Sequence, residues 1–437
     1  MATKRPQIVR PIVHNAGMAY DRELLPRHVE PLVAEALTDT RVVAVNGARQ
    51  VGKSTLATAL TSRARNPVIR LLDDPAILRA AHEAPTDFVE HDGLMVIDEV
   101  QLAPELFRAI KLVVDADPTP GQFLLTGSAR ILALRDLPDA LPGRMETVEL
   151  WPFSQGEIDG TPDRFVDAAF AYGPDLSHTS TLRRRDYLDR VVRGGYPEAV
   201  RRTPRRRAAF FESYLTTLIE RDVTELAAIE RRGELRRLLA LLAGRSGGLL
   251  VAASLATQSG IPRTTLNRYL ELLAAVFLIK QIPAWSGNHT HRAVGTPKLA
   301  YIDSGLASHL LGQDAGRLAE PDGAAGQLME NFVLMELARQ LTWNDERVRL
   351  YHYRTKDGVE VDAVLEAADG RIVGIEVKAA SNVRGGDLAG LRHLADRVGD
   401  RFVAGYILYT GQQTLPYGEK IRALPIEALW STTTNQD

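Results

Sequence analysis

The hydrophobic pattern changes character twice along the chain. Short runs rich in apolar and β-branched residues come first, at residues 41–46 (RVVAVN), 68–72, 93–97, 122–126 and 147–150. Such runs predict strands buried on both faces, and the helical periodicity between them, as at 102–115, predicts βαβ units around a parallel sheet. Short helices are expected at 30–38 and 55–63. From about Trp151 to Arg245 strand signals stop and the 3.6-residue period takes over, interrupted at Gly194-Gly195-Tyr196-Pro197 and Thr203-Pro204. A helical lid is predicted there. Residues 249–282 read as a helix-turn-helix with a returning strand, and 283–297 as a linker or wing. From Leu299 the alternation resumes with a strand, a helix at 326–341, and strands near 349–353, 359–366, 371–378 and 402–409. The expected architecture is α/β, divided into a parallel-sheet core (1–152), a helical lid (153–233), a winged-helix domain (234–297) and a second α/β domain (298–437).

Length and composition agree with several domains: 437 residues exceed what one core usually organises, and 45% apolar with 25% charged residues is ordinary for globular chains. A formal charge of -2 argues neither for nor against nucleic acid as a whole-chain partner. The absence of cysteine excludes disulfides, thiolate metal ligands and a cysteine nucleophile. Near the start no apolar core of signal-peptide length appears, and the longest apolar run, 272–279, is too short to cross a bilayer. A cytoplasmic protein with no membrane contact is expected.

The first strand leads directly into Gly47-Ala48-Arg49-Gln50-Val51-Gly52-Lys53-Ser54-Thr55. Concentrated negative charge on a phosphate chain is met by a Gly-containing loop whose N–H groups converge at a helix N-terminus. In this spacing Lys53 is the cation for the β- and γ-phosphates and Ser54 the hydroxyl for Mg²⁺. A carboxylate from the neighbouring strand completes the Mg²⁺ set, and Leu94-Met95-Val96-Ile97-Asp98-Glu99 supplies it, with Asp98 on the metal and Glu99 orienting or deprotonating the attacking water. The strand Phe123-Leu124-Leu125-Thr126-Gly127-Ser128 ends in hydroxyls, Ser128 among them, placed for the γ-phosphate or the water. Arg130 and Arg144 follow. Arg144 is the preferred finger, acting within its own subunit or on a neighbour's nucleotide in a homo-oligomer; the alternative is a surface arginine paired with Glu146 or Glu149.

With these motifs, and with Leu125-Thr126-Gly127-Ser128, Gly194-Gly195-Tyr196-Pro197 and Glu220-Arg221-Asp222-Val223, nearly the whole chain resembles prokaryotic AAA-type P-loop ATPases fused to a C-terminal domain of uncharacterised function. The resemblance implies a P-loop NTPase core with lid and winged helix, ATP and Mg²⁺ as ligands, and Tyr196-Pro197 packed near the adenine.

Two further patterns bear on partners. In the second helix of the helix-turn-helix, Arg263, Thr264, Thr265, Asn267 and Arg268 face outward, residue types that bond phosphates and base edges. DNA is one partner for it; a protein-contact or lid role is the other. Ten arginines lie between Arg183 and Arg207, which suits a nucleic-acid backbone or a lid whose arginines meet acidic helices or the nucleotide.

In the last domain, Val359-Glu360-Val361-Asp362 and Gly374-Ile375-Glu376-Val377-Lys378 flank Ala368-Asp369-Gly370. A hairpin with Gly370 left-handed sets Asp362 opposite Glu376, and Glu376 and Lys378 share its face. With Glu330 from the preceding helix, this arrangement resembles the restriction-endonuclease-like core, which implies a second Mg²⁺ site and a nuclease as an alternative activity. A nucleotide-gated binding switch with little turnover is the other alternative.

Overall fold

The computed structural model describes residues 24–433 except 63, 65, 129–140, 220–231, 289–291 and 293–294. Five parallel strands form the first sheet: β1 (Val42–Asn46), β2 (Val68–Leu71), β3 (Met95–Asp98), β4 (Phe123–Gly127) and β5 (Met145–Glu149), in the order β2-β3-β4-β1-β5. All five residues of β1 are buried, as a strand covered on both faces requires. Its alternation divides two cores. Val42 and Ala44 face an apolar cluster with the helix Leu106–Ala116, whereas Val43 and Val45 face one that begins with the helices Glu30–Asp39 and Lys53–Thr61.

That second cluster does not stop at the first domain. It continues through the helical segment, the helix-turn-helix and the C-terminal sheet as far as Trp430. Helices Ala252–Ser259 and Arg263–Ala275 bury Leu255, Leu266 and Leu270, the turn between them buries Ile261, and a two-stranded ribbon follows, β6 (Ile279–Ile282) antiparallel to β7 (Lys298–Tyr301).

Here the structure departs from the expected boundary at residue 298. The strand there pairs antiparallel with β6, Ile279 opposite Tyr301, and takes no part in the C-terminal sheet. The next helix, Ser304–Leu310, packs on the helix Arg184–Arg193 of the helical segment after β5.

Six strands form the last sheet: β8 (Val348–Arg354), β9 (Glu360–Ala367), β10 (Ile372–Lys378), β11 (Phe402–Tyr409), β12 (Leu415–Pro416) and β13 (Ile421–Pro425), ordered β12-β13-β11-β10-β9-β8. β8, β9 and β10 form an antiparallel meander; the helix Ala389–Val398 then carries the chain across to β11, parallel to β10. Among the described residues no helix is long and apolar enough to cross a membrane.

Candidate functional site

At the carboxyl end of β1 the chain turns sharply before the helix Lys53–Thr61. Gln50 (φ 61°) and Gly52 (φ 98°) take the left-handed backbone this turn needs. Gly47 is required by contact: a Cβ there would stand 2.2 Å from the Leu150 carbonyl oxygen, just past the end of β5. The buried Lys53 ammonium donates to the carbonyls of Gly47 (3.1 Å) and Ala48 (3.0 Å), so a cation already lies within the turn. Ala48 and Val51 are buried and offer the loop only their backbone.

The carboxylate was expected on the strand beside β1. The structure corrects this: β4 stands between, pairing with β1 on one side and β3 on the other, and Asp98 is two strands away. The gap is closed by the Ser54 hydroxyl, which donates to both oxygens of Asp98 at 3.0 and 2.8 Å. The Thr126 hydroxyl on the intervening strand also donates to Asp98 and accepts the Glu99 N–H at 3.2 Å. A hydroxyl facing a carboxylate is the oxygen set a hard divalent cation takes, so Ser54 and Asp98 fit Mg²⁺.

Glu99 has left-handed backbone (φ 56°), which turns its side chain off the strand toward Gln101 and Ser128. Its carboxylate accepts from the Gln101 amide and from the Ser128 N–H at 3.2 Å, while Gln101 also donates to the Ser128 hydroxyl at 3.0 Å. Burial alone would raise its pKa. Lys53, the Gln101 and Ser128 hydrogen bonds and Arg49 overcome that and hold the carboxyl below its ordinary range, hence charged at neutral pH.

A cavity of about 630 Å³ opens over this loop. Arg49, Gln50, Gly52, Lys53, Ser54, Thr55 and Glu99 line one side; Pro197, Arg202, Phe210, Tyr214 and Leu218 from the helical segment after β5 line the other. Pro197 lines the cavity, whereas Tyr196 is fully buried behind the wall, its hydroxyl bonded to that of Tyr214 at 2.9 Å. Gly194 and Gly195 are small because Asp303 and the Phe153 carbonyl press on them: added Cβ atoms would lie 2.4 and 2.1 Å from those oxygens.

Two contributors escaped the sequence. Arg27 braces the loop from below, donating to the carbonyls of Val51 (2.8 Å) and Trp151 (2.7 Å) and to Glu157 (2.9 Å). Nothing in its surroundings in the sequence marks it. Arg202 was visible only as one of ten arginines; it lies over the Phe210 ring, paired with Glu198 at 2.8 Å, at the cavity wall.

Arg144 is not brought to the loop. It precedes β5 at the amino edge of the sheet, a strand length of roughly 15 Å from the phosphate edge, and its partner is Asp115 rather than Glu146 or Glu149. The finger role within its own subunit is therefore corrected. Arg130 and Glu220-Arg221-Asp222-Val223 lie outside the described residues.

In the helix-turn-helix, Arg263, Thr264, Asn267 and Arg268 are exposed and Thr265 is half-buried. Of the ten arginines in the stretch five are exposed, Arg183, Arg185, Arg201, Arg205 and Arg206, and four of the half-buried ones bond internally. Arg190 and Arg193 donate to the Gln155 side chain at 3.0 and 2.7 Å, Arg184 to the Ala379 carbonyl at 2.8 Å, and Arg207 to the carbonyls of Ala199 and Arg202.

The C-terminal residues do converge. Gly370 is left-handed (φ 88°), and the β9–β10 register runs to Ile375 opposite Ala363, which sets the next pair as Glu376 and Asp362. Lys378 donates to Glu376 at 3.0 Å. The sequence missed Lys298 from β7, whose ammonium donates to Asp362 at 2.9 Å and to Glu330. Burial, and after it the Asp362 charge, push the Glu330 and Glu376 carboxyls up. Among the described residues no three carboxylate or imidazole groups are arranged to hold a metal ion. A divalent cation does not fit this cluster, since the Lys298 ammonium already holds the facing oxygens of Glu330 and Asp362.

The uncharacterized proteins Rv2008c of Mycobacterium tuberculosis and Mb2031c of Mycobacterium bovis are each 31% identical to this chain over 409 residues, 91% of the chain and 82% of the relative. The chain belongs to their family. In this family member, residues 39–159 match an AAA domain, 184–317 the domain of unknown function DUF8612, and 325–429 the domain of unknown function DUF4143. Among solved structures, the Walker-type ATPase PABY2304 of Pyrococcus abyssi aligns with a TM-score of 0.37 and 16% identity over 66% of this chain and 96% of its own. AMPPCP-bound DnaA from Aquifex aeolicus aligns with a TM-score of 0.28 and 14% identity over 56% and 86%. The match over residues 39–159 makes the first domain of the family member AAA-type.

Proposed function

We propose that the protein hydrolyses ATP, with Mg²⁺ held by Ser54 and Asp98, and uses the cycle to act on a DNA or protein partner. The observation that carries this reading is the charged Glu99, fixed beside Ser128 and within the field of Lys53 at the mouth of a cavity walled by the lid. Lys53 exchanges its two carbonyl partners for β- and γ-phosphate oxygens. Gly47 to Thr55 wrap the phosphates, and Pro197, Phe210 and Tyr214 give the base an apolar wall. The divalent ion supplies charge neutralisation at the phosphates when bound. Glu99 orients the water and takes its proton, for which it must be ionised, as its surroundings hold it. Arg202 stands on the lid side of the same cavity, so lid closure brings a second cation toward the phosphates.

Replacing Glu99 by Gln keeps the hydrogen bonds and removes the base. Steady-state hydrolysis should fall by about a hundredfold or more while bound nucleotide persists. Wild-type turnover below detection with nucleotide still bound would support the switch without turnover instead. The same assay with DNA, RNA or candidate proteins added separates the partner classes. The exposed Arg263, Asn267 and Arg268 favour a DNA contact, and stimulation insensitive to salt would count against it. Arg144, at the far edge of the sheet, serves as a finger only on a second copy in a homo-oligomer. A cytoplasmic setting is part of the same reading. The C-terminal sheet we take as restriction-endonuclease-like in arrangement, on its meander, crossover helix and parallel β11.

A further inference from the structure

The C-terminal cluster contains a cation of its own. Lys298 opens β7, and its side chain is 4% exposed. Its ammonium donates to Glu330 Oε1 and to Asp362 Oδ1, while the other Asp362 oxygen accepts the Val377 N–H at 2.9 Å. Lys378 holds Glu376 Oε1 and lies 3.4 Å from Asp387. Of the oxygens facing inward, Glu376 Oε2 alone is buried with no hydrogen-bond partner. Four carboxylates, Glu330, Asp362, Glu376 and Asp387, are therefore met by two ammonium groups.

Lys298 is also held in place from behind. The Leu299 N–H donates to the Gly248 carbonyl and the Leu250 N–H to the Pro297 carbonyl, both at 2.8 Å, and Lys298 itself pairs with Ile282. Gly247 makes room for the arrangement, since a Cβ there would lie 3.0 Å from the Glu330 carboxyl carbon. A divalent ion needs six or more oxygens, and here it would meet a fixed ammonium in contact with the same ones. Like charges at that spacing in a buried site repel strongly.

We propose that Lys298 is the resident cation of this cluster: delivered on the wing strand, it takes the place of a divalent metal and latches the helix-turn-helix unit to the C-terminal domain. The cluster is then a structural joint and not a metal-dependent nuclease centre. This inference is independent of the nucleotide reading.

The test is Mn²⁺ binding to the full chain without nucleotide, followed by electron paramagnetic resonance and calorimetry, with Asp98→Asn present throughout to silence the nucleotide site. With Lys298 intact, adding Asp362→Asn should leave the Mn²⁺ titration unchanged. Lys298→Met should create one site per chain, with affinity at least about tenfold tighter than the background. Adding Asp362→Asn to that variant should abolish the new site. An Asp362-dependent Mn²⁺ site with Lys298 intact overturns the proposal, as does a folded Lys298→Met chain, judged by circular dichroism, that gains none. Should Lys298→Met fail to fold, the comparison with Lys298 intact still decides.

Discussion

At the level of single residues, the most constrained groups are polar ones that the fold has buried with dedicated partners. His352, on β8, is an instance: Nε2 donates to the Thr296 carbonyl at 3.0 Å, and its backbone bonds Pro283 and Trp285, so it ties those three residues to the last sheet. Burial pushes its imidazole down to about 4, with Lys298 and Arg354 adding to the effect against the Thr296 bond. In the unfolded chain the ring takes a proton near pH 6.5, whereas the folded protein refuses it. The group's contribution is therefore full above that pH and is lost as pH falls toward 4. Between pH 7 and pH 5 it should cost about 2 kcal/mol of stability. His352→Gln, which keeps a donor and does not titrate, should flatten that part of the pH profile measured by denaturant unfolding; an unchanged slope would refute the assignment.

For whole elements, what the sequence made legible follows from physical periodicity. The continuous apolar runs of β1, β3 and β4 can only be buried strands, and the loop after β1 announces itself because phosphate binding demands glycine, lysine and a hydroxyl at fixed spacing. Strand order was not legible: nothing in Phe123–Gly127 says that it lies between β1 and β3, so Asp98 was expected one strand too near. Nor could spacing show that 298–301 returns to β6, since Pro283, Gly287, Gly295 and Pro297 in the intervening segment mark a linker as readily as a turn. Arg27 and Lys298 were missed for a related reason. Each acts on groups distant in sequence, 24 residues for Arg27 to Val51 and 64 for Lys298 to Asp362, and a lone basic residue has no local signature. Element packing also yields a prediction. Gly47→Ala places a methyl against the Leu150 carbonyl, which must part the loop from β5; nucleotide affinity in a fluorescent-ATP titration should fall by about tenfold or more, a loss of at least about 1.4 kcal/mol, while an unaffected affinity would show that β5 gives way.

For the molecule as a whole, the matched domains are not independent bodies. Arg339 in the C-terminal helix Ala325–Gln340 donates to the carbonyls of Pro152 and Ile302 at 3.0 and 2.9 Å and to Glu336, which in turn accepts the Gln155 N–H at 2.9 Å. Gln340 accepts from the Val166 N–H and donates to the Leu429 carbonyl. The segment just past β5, which touches the phosphate loop through Gly47 and Arg27, is thus the same segment the C-terminal domain grips. A chain ended after residue 320 loses more than a quarter of this apolar cluster, from Ala325 to Trp430, together with its buried charge partners. It should be recovered as aggregate, whereas a soluble, ATP-binding fragment would show the first domain to be self-sufficient.

The carbonyl of Trp430 accepts the Asp163 N–H, and its ring, fully buried, stacks edgewise on Tyr187 and Phe332. On the ribosome, therefore, the helices after β5 wait for their neighbours for roughly half a minute at ordinary elongation rates. Through that interval their apolar faces stand in water, and the nascent chain is a natural client for holdase chaperones.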